Sequence, residues 1–185
     1  MRPGKPLVAM LLVLAAVAGA FAQGSPERKE PDVPFVSTPD SVVIEMLRLA
    51  KVTKDDVVYD LGSGDGRIVI AAAKQFGARG VGIELERHLV AASEENARQA
   101  GVADRVRFVQ GDIFEADLRE ATVVTLYLFP VVNAKLRPKL LRELRPGARI
   151  VSHMYGIGDW TPHDNSQVVV GKAIHFIYSW IVPPR

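Results

Sequence analysis

Between Val57 and Glu84 the chain reads VVYDLGSGDGRIVIAAAKQFGARGVGIE, and this stretch leaves few folds open. Val57, Val58 and Tyr59 form a short β-prone run ending at Asp60. Three glycines follow at alternate positions, Gly62, Gly64 and Gly66. Ile68 to Phe76 is an apolar helical run stopped by Gly77, and Val81-Gly82-Ile83 is a second β-prone run ending on Glu84. The pattern is strand, loop, helix, strand. Two parallel strands need such a crossover, and it is right-handed in nearly every case. Ligands of open α/β sheets sit beyond the carboxyl ends of the strands. Asp60, the glycines and Glu84 therefore converge on one crevice.

The glycine spacing narrows the ligand. A dinucleotide fingerprint reads GxGxxG. Here it is GxGxG, with Arg67 where the third glycine of that fingerprint would stand, and no GxxxxGK run exists for a P-loop. Asp60 just before the turn would oppose a pyrophosphate and suits a cation such as an amino-acid ammonium. Glu84, at the end of the second strand, can accept from both hydroxyls of a ribose. Ribose plus an amino-acid ammonium describes S-adenosylmethionine.

On these residues the chain resembles class I S-adenosylmethionine-dependent methyltransferases. DLGSGDGR is similar to their first motif, GVGIE to the second-strand motif, and Gln110-Gly111-Asp112-Ile113 to the third-strand acidic motif. With PFVSTP upstream, the likeness is greatest to bacterial relatives of the mitochondrial lysine N-methyltransferases of the ATP synthase c-subunit and the adenine nucleotide translocase. It runs from about Phe35 to Val182. It implies a Rossmann-like α/β fold: a seven-stranded, mostly parallel sheet with helices on both faces and a C-terminal antiparallel hairpin. It also implies cofactor contacts from Asp60, Gly62, Ser63, Gly64, Gly66, Glu84 and Leu85. Asp112 would accept from the adenine amino group with Ile113 on the ring, or else Asp112 caps the next short helix.

The first 22 residues read as a leader. Arg2 and Lys5 precede an unbroken apolar run from Leu7 to Ala18, and Ala20-Phe21-Ala22 is a small-x-small cleavage site. The apolar stretch of 16 residues to Ala22 falls short of the ~20 that span a bilayer. A signal peptide for export to the periplasm and an uncleaved membrane anchor both remain open, and any membrane contact is expected only through this segment. The leader carries two bases and no acid, leaving 21 bases against 21 acids in the other 163 residues. The basic pI is partly a leader effect, so nucleic-acid binding is not expected. There are no cysteines, hence no disulfide and no thiolate metal site. Residues 23–34 are a proline- and charge-rich linker, and residues 35–185 one domain.

Thr38-Pro39 is expected to open a helix, Thr38 as N-cap. Its apolar positions Val42, Val43, Met46, Leu47 and Ala50 recur at helical spacing. That helix either covers the sheet edge or closes over the cofactor, which would place Thr38 at the site. Arg87 to Ala100 reads as a helix with an exposed Glu94–Arg98 pair, Arg105 to Val109 as the third strand, and ATVVTLYL from Ala121 as the fourth. In the family the end of the fourth strand faces the transferred methyl, and amino-methylating relatives often carry Asp/Asn-Pro-Pro-aromatic there. This chain has Phe129-Pro130 without the acid or amide. Tyr127, Phe129, Pro130, Asn133 from the following turn, and Trp160 are the expected substrate pocket. Tyr127 and His153 are the only candidates for a base, and each also reads as packing. A helix from Asn133 to Leu144 carries many bases against Glu143, either a docking patch for an acidic partner or membrane surface, or a solvated face. His153, Asp159, His163 and Asp164 fit no metal motif, so no metal is expected. Tyr155 to Gln167 is a loop on the ligand side, with Trp160 lining the pocket or acting as a lid. Val168 to Val170 and Ile174 to Val182 form the terminal hairpin.

The expected function is methyl transfer, N-directed, with protein lysine as the candidate acceptor. A small-molecule O- or N-methyltransferase, or an exported nucleoside-binding protein without turnover, stay open. No insertion is long enough for a lid domain, so a macromolecular acceptor is expected.

Overall fold

The computed structural model describes residue 1 and residues 36–185; the expected leader and linker otherwise lie outside the described residues. Four helices and seven strands follow in the order α1 (Asp40–Leu49), β1 (Val57–Leu61), α2 (Arg67–Phe76), β2 (Arg79–Glu84), α3 (Arg87–Ala100), β3 (Val106–Gln110), β4 (Val123–Leu126), α4 (Pro130–Glu143), β5 (Arg149–His153), β6 (Asp164–Val170) and β7 (Ala173–Ile181). They build one sheet in the order β3-β2-β1-β4-β5-β7-β6. Pairings among β1 to β5 are parallel, and β7 runs antiparallel to both β5 and β6. The mostly parallel sheet closed by a C-terminal hairpin is as the sequence implied. The order reverses at β1, between β2 and β4, so the carboxyl end of β1 is the topological switch point where ligands of such sheets bind.

β1 and β4 are buried along their whole length, as inner parallel strands must be. Alternate side chains split between two cores. Val58, Val123 and Val151 face a layer filled by α1, α2 and α3. Tyr59, Leu61, Val124, Leu126 and Ile150 face the other side, where Val132, Leu136, Leu140 and Leu144 of α4 and its end pack. Helices lie on both faces, but three against one. Residues 111–122 and 154–163 connect strands without a helix, and their apolar side chains, Ile113, Phe114, Ala116, Leu118 and Trp160, help to cover the second face.

β2 contributes what a strand pattern hides. A Cβ at Gly80 would stand 2.7 Å from Val69 Cβ, and one at Gly82 2.6 Å from both Phe108 Cδ1 and Ser63 Oγ. Glycine at these two alternate positions lets α2 and the loop before it lie directly on the sheet. At the opposite end of the strands, Asp56 accepts from Thr122 Oγ1 at 2.7 Å and pairs with Arg149, which also donates to the carbonyls of Ala50 and Lys51 at 3.0 Å. This ties the end of α1 to β1 and β5.

Several expectations are corrected. α1 begins at Asp40 with Pro39 as N-cap and no side-chain cap, because the Thr38 hydroxyl bonds elsewhere. α4 begins at Pro130, not Asn133, since proline suits the first helical position. β6 begins at Asp164, so the loop after β5 is shorter than Tyr155–Gln167; the polar run Asp164–Gln167 forms the start of an edge strand that needs few apolar residues. Arg98 pairs with Glu95, at 2.7 Å, rather than Glu94. The bases of α4 are largely engaged: Lys139 and Arg142 with Glu143, Arg137 with Asp159. No helix among the described residues is long and apolar enough to cross a membrane.

Gly82→Ala should lower stability by about 1–3 kcal/mol through overpacking against Phe108 and Ser63. An unchanged urea midpoint would show that α2 and its loop have room to retreat from the sheet.

Candidate functional site

A crevice of about 420 Å³ opens beyond the carboxyl ends of β1, β2 and β4, within the usual range for small-molecule sites. Its lining includes Val36, Ser37 and Thr38, then Asp60, Gly62, Ser63, Asp65 and Arg67, then Glu84, Glu86, His88 and Leu89, and finally Tyr127 and Leu128.

The turn from β1 into α2 forms the floor. Gly62, Gly64 and Gly66 all have positive φ, 81°, 55° and 80°, a region costly for any side chain with a Cβ. The turn is fixed from three directions. Gly64 N–H donates to Glu84 Oε2 at 2.8 Å. Ser93 Oγ donates to the Gly64 carbonyl at 2.8 Å, and Asn96 Nδ2 to the Asp65 carbonyl at 2.9 Å. Glu84 Oε1 accepts from Glu86 N–H at 2.9 Å. Each carboxylate oxygen of Glu84 thus keeps a free acceptor site. Ser63 Oγ is buried in the wall with no partner.

Asp60 is buried, and its Oδ1 accepts from Thr125 Oγ1 at 2.6 Å. Burial pushes its carboxyl up to about 7, with Glu84 and Asp65 adding to the rise against the Thr125 hydrogen bond. Four carboxylates line the crevice, Asp60, Asp65, Glu84 and Glu86. Arg67, the one arginine in the lining, is occupied: it pairs with Asp65 at 2.5 Å and donates to the Thr38 carbonyl at 2.9 Å. That bond pins the segment before α1 across the crevice.

The other tie on this segment is a histidine chain. Thr38 Oγ1 lies 3.2 Å from His153 Nδ1, and His153 Nε2 lies 2.8 Å from His175 Nδ1. His153 is fully buried, with its ring 4.0 Å from that of Tyr127. Burial, with His175 beside it, lowers its pKa to about 4. At neutral pH it is an uncharged holder of Thr38 and Tyr127. Burial also raises the Tyr127 phenol.

Of the residues expected at the site, Thr38, Asp60, Gly62, Ser63, Glu84 and Tyr127 meet in this crevice. Gly64 sits behind it, its amide on Glu84. Gly66 serves packing: a Cβ there would stand 2.6 Å from Phe108 Cε1. Leu85 and Asp112 lie past the ends of β2 and β3; Asp112 Oδ1 accepts from Phe114 N–H at 2.9 Å, holding the next turn, and Ile113 packs on the core. Phe129 and Pro130 start α4 beside Tyr127. Two expectations are corrected. Asn133 is buried inside the first turns of α4, donating to the Gly156 carbonyl at 3.1 Å, rather than standing in a turn at the pocket. Trp160 neither lines the crevice nor caps it; it packs on the core under Arg137, whose guanidinium is 5.7 Å from the ring, because its loop folds onto α4. Ser93, Asn96, Asp65 and Arg67 were missed. The first two carried a signal, polar residues three apart on one flank of the helix Arg87–Ala100. Among the described residues no group of three His, Cys, Asp or Glu is placed to hold a metal.

Because the His153 pKa lies below the ordinary 6.5, the folded state binds fewer protons than the unfolded one between pH 6.5 and about 4. Its contribution is fully present above pH 6.5 and is lost as pH falls toward 4. The stability difference between the wild type and His153→Asn should therefore shrink from pH 7 to pH 5, measured by urea denaturation. A difference constant with pH would show that His153 is not buried as a neutral ring.

Residues 60–164 match the family described as the ANTKMT methyltransferase domain. A protein-lysine N-methyltransferase of Saccharolobus islandicus is 46% identical over 153 residues, 82% of this chain and 95% of that protein. The lysine N-methyltransferase of Mus musculus named for the ATP synthase c-subunit is 36% identical over 170 residues, 92% of this chain and 66% of that protein. The crystal structure of an RNA methyltransferase from Salinibacter ruber with S-adenosyl-L-homocysteine superposes with a TM-score of 0.76 at 55% identity, covering 81% of this chain and 95% of that one. With the switch-point crevice, its glycine turn and the carboxylate of Glu84 in place, the chain belongs to the ANTKMT methyltransferase family and is an S-adenosylmethionine-dependent methyltransferase.

Proposed function

We propose that the enzyme methylates the side-chain amine of a lysine in a protein. The observation that carries this is the charge of the crevice: of its four acidic side chains Asp65 is paired with Arg67 and Asp60 is only part-ionised at neutral pH, but Glu84 and Glu86 remain, and the sole arginine there is already bonded to Asp65 and Thr38. Such a site attracts a cationic acceptor and repels a phosphate backbone. The names of the Saccharolobus and mouse relatives support protein lysine. The Salinibacter structure, described as an RNA methyltransferase, favours RNA as the second reading.

The residues present fit the cofactor. Glu84 has a free acceptor site on each oxygen for ribose hydroxyls, and Ser63 Oγ is an unpartnered hydroxyl in the wall. Asp60 would hold the ammonium of the amino-acid part, and Gly62 would let the backbone approach it. Toward β3, Leu85 and Ile113 would flank the adenine and Asp112 accept from its amino group. When bound, the cofactor supplies a methyl group already activated on a sulfonium. The protein then needs mainly to align the acceptor and exclude water. Leu128 and Tyr127 make the acceptor end apolar, which lowers the pKa of an entering ammonium toward the neutral, nucleophilic form. Thr38, held by Arg67 and His153, lines the crevice between the glycine turn and this end.

The acceptor is tested by incubating the enzyme and methyl-labelled cofactor with separated protein and RNA fractions of the native host. Label on protein lysine is expected; label in RNA alone would establish the second reading. Asp60 gives a second test. Its carboxyl, raised to about 7, must ionise to face the ligand's ammonium. Affinity for S-adenosylhomocysteine should rise with pH, by up to about tenfold per unit, until about pH 7, and then level off. Asp60→Asn should flatten that rise. A wild-type affinity that does not change from pH 5.5 to 7 would remove Asp60 from contact with the ammonium.

A further inference from the structure

Beside Tyr127, which lines the crevice, rings from two neighbouring strand ends cluster. Tyr127 follows β4 and Tyr155 follows β5. Their ring centroids lie 6.5 Å apart with planes inclined by 18°. Phe129 stands 6.3 Å from Tyr155 at 61°. Below, the ring of His153 backs Tyr127 at 4.0 Å and is itself held by Thr38 and His175. The cluster is not simply core: Phe129 is 41% exposed, and Tyr127 and Tyr155 are half-buried. Phe129-Pro130 also places no acid or amide where an acceptor nitrogen would need a partner.

We propose that Tyr155, with Tyr127 and Phe129, recognises the acceptor nitrogen through the faces of their rings. This rests on the protein-lysine reading. Aromatic faces attract cations without needing a particular N–H to point at them. During transfer the nitrogen lone pair forms the N–C bond. The C–S bond breaks with its electron pair going to sulfur, and the positive charge moves from sulfur to nitrogen. The methylated ammonium then loses a proton to water. Ring faces beside the nitrogen are attracted to the charge as it develops, so they favour the transition state over the neutral amine. A hydrogen-bond acceptor such as an amide would instead have to lose or re-aim its bond as the amine gained a methyl group.

The test uses the full chain, labelled cofactor and the host protein fraction. Tyr155→Leu should lower kcat/KM for the acceptor about tenfold and leave the Kd for S-adenosylhomocysteine unchanged, while Tyr155→Phe stays within about twofold. Phe129→Leu should behave like Tyr155→Leu and serves if that variant does not fold. Choline should inhibit the wild type in competition with the protein acceptor, and its uncharged isostere 3,3-dimethylbutan-1-ol should not. Equal losses in the Phe and Leu variants, wild-type rates in both Leu variants, or equal or no inhibition by the two probes would overturn the inference and leave the lysine reading standing. Label entering only RNA would overturn that reading and this inference with it.

Discussion

The carboxylate of Glu84 spans the crevice it helps to form. One oxygen accepts from the amide of Gly64, in the turn after β1, and the other from the amide of Glu86, in the turn after β2. Two loops from adjacent parallel strands are thereby set against one side chain. The geometry depends on glycine, since the three turn positions all have positive φ. It depends equally on α3, which sends Ser93 and Asn96 up beneath the turn. The turn is thus held by the protein's own hydrogen bonds, which lessens the ordering that binding must drive. Glu84 is buried, and the two backbone amides that meet its oxygens hold its carboxylate at the centre of the site.

From this centre the molecule is graded in character. The glycine turn is polar and acidic, whereas the ends of β4 and β5 are aromatic. One end suits a charged, hydroxyl-rich small molecule, and the other a nucleophile that must shed water. The segment before α1 joins the two ends. Its Thr38 carbonyl is held by Arg67 at the polar side and its hydroxyl by His153 at the aromatic side. Among the described residues, short connections after the strands and the segment before α1 border the site.

How far the sequence carried this depends on the range of the interaction. The β-loop-α-β unit was legible because glycine at a turn is a local requirement, and Asp60 and Glu84 were legible because strand ends in such a unit must point at the same crevice. Gly66 and Gly82 look like the same signal yet serve contacts with Phe108, more than 20 positions away, which no local pattern encodes. Thr38 carried the composition of an N-cap, but its hydroxyl finds His153 across the fold. Asn133 and Trp160 were placed by proximity in sequence to the fourth strand and the loop. Each faces inward because α4 starts at Pro130 and that loop folds onto it. The first residues of β6 were illegible for a simpler reason: an edge strand with half its side chains in solvent needs no apolar alternation.

The central claim is that Glu84 and the glycine turn together seat the cofactor. Calorimetric titration of S-adenosylhomocysteine into the wild type and Glu84→Gln tests it most directly. The amide keeps one acceptor oxygen but turns an NH2 toward a backbone N–H, losing charged hydrogen bonds worth roughly 2–3 kcal/mol. The account predicts a Kd weakened by about 30-fold or more, with an unchanged circular dichroism spectrum. A folded Glu84→Gln protein that binds as tightly as the wild type would contradict it.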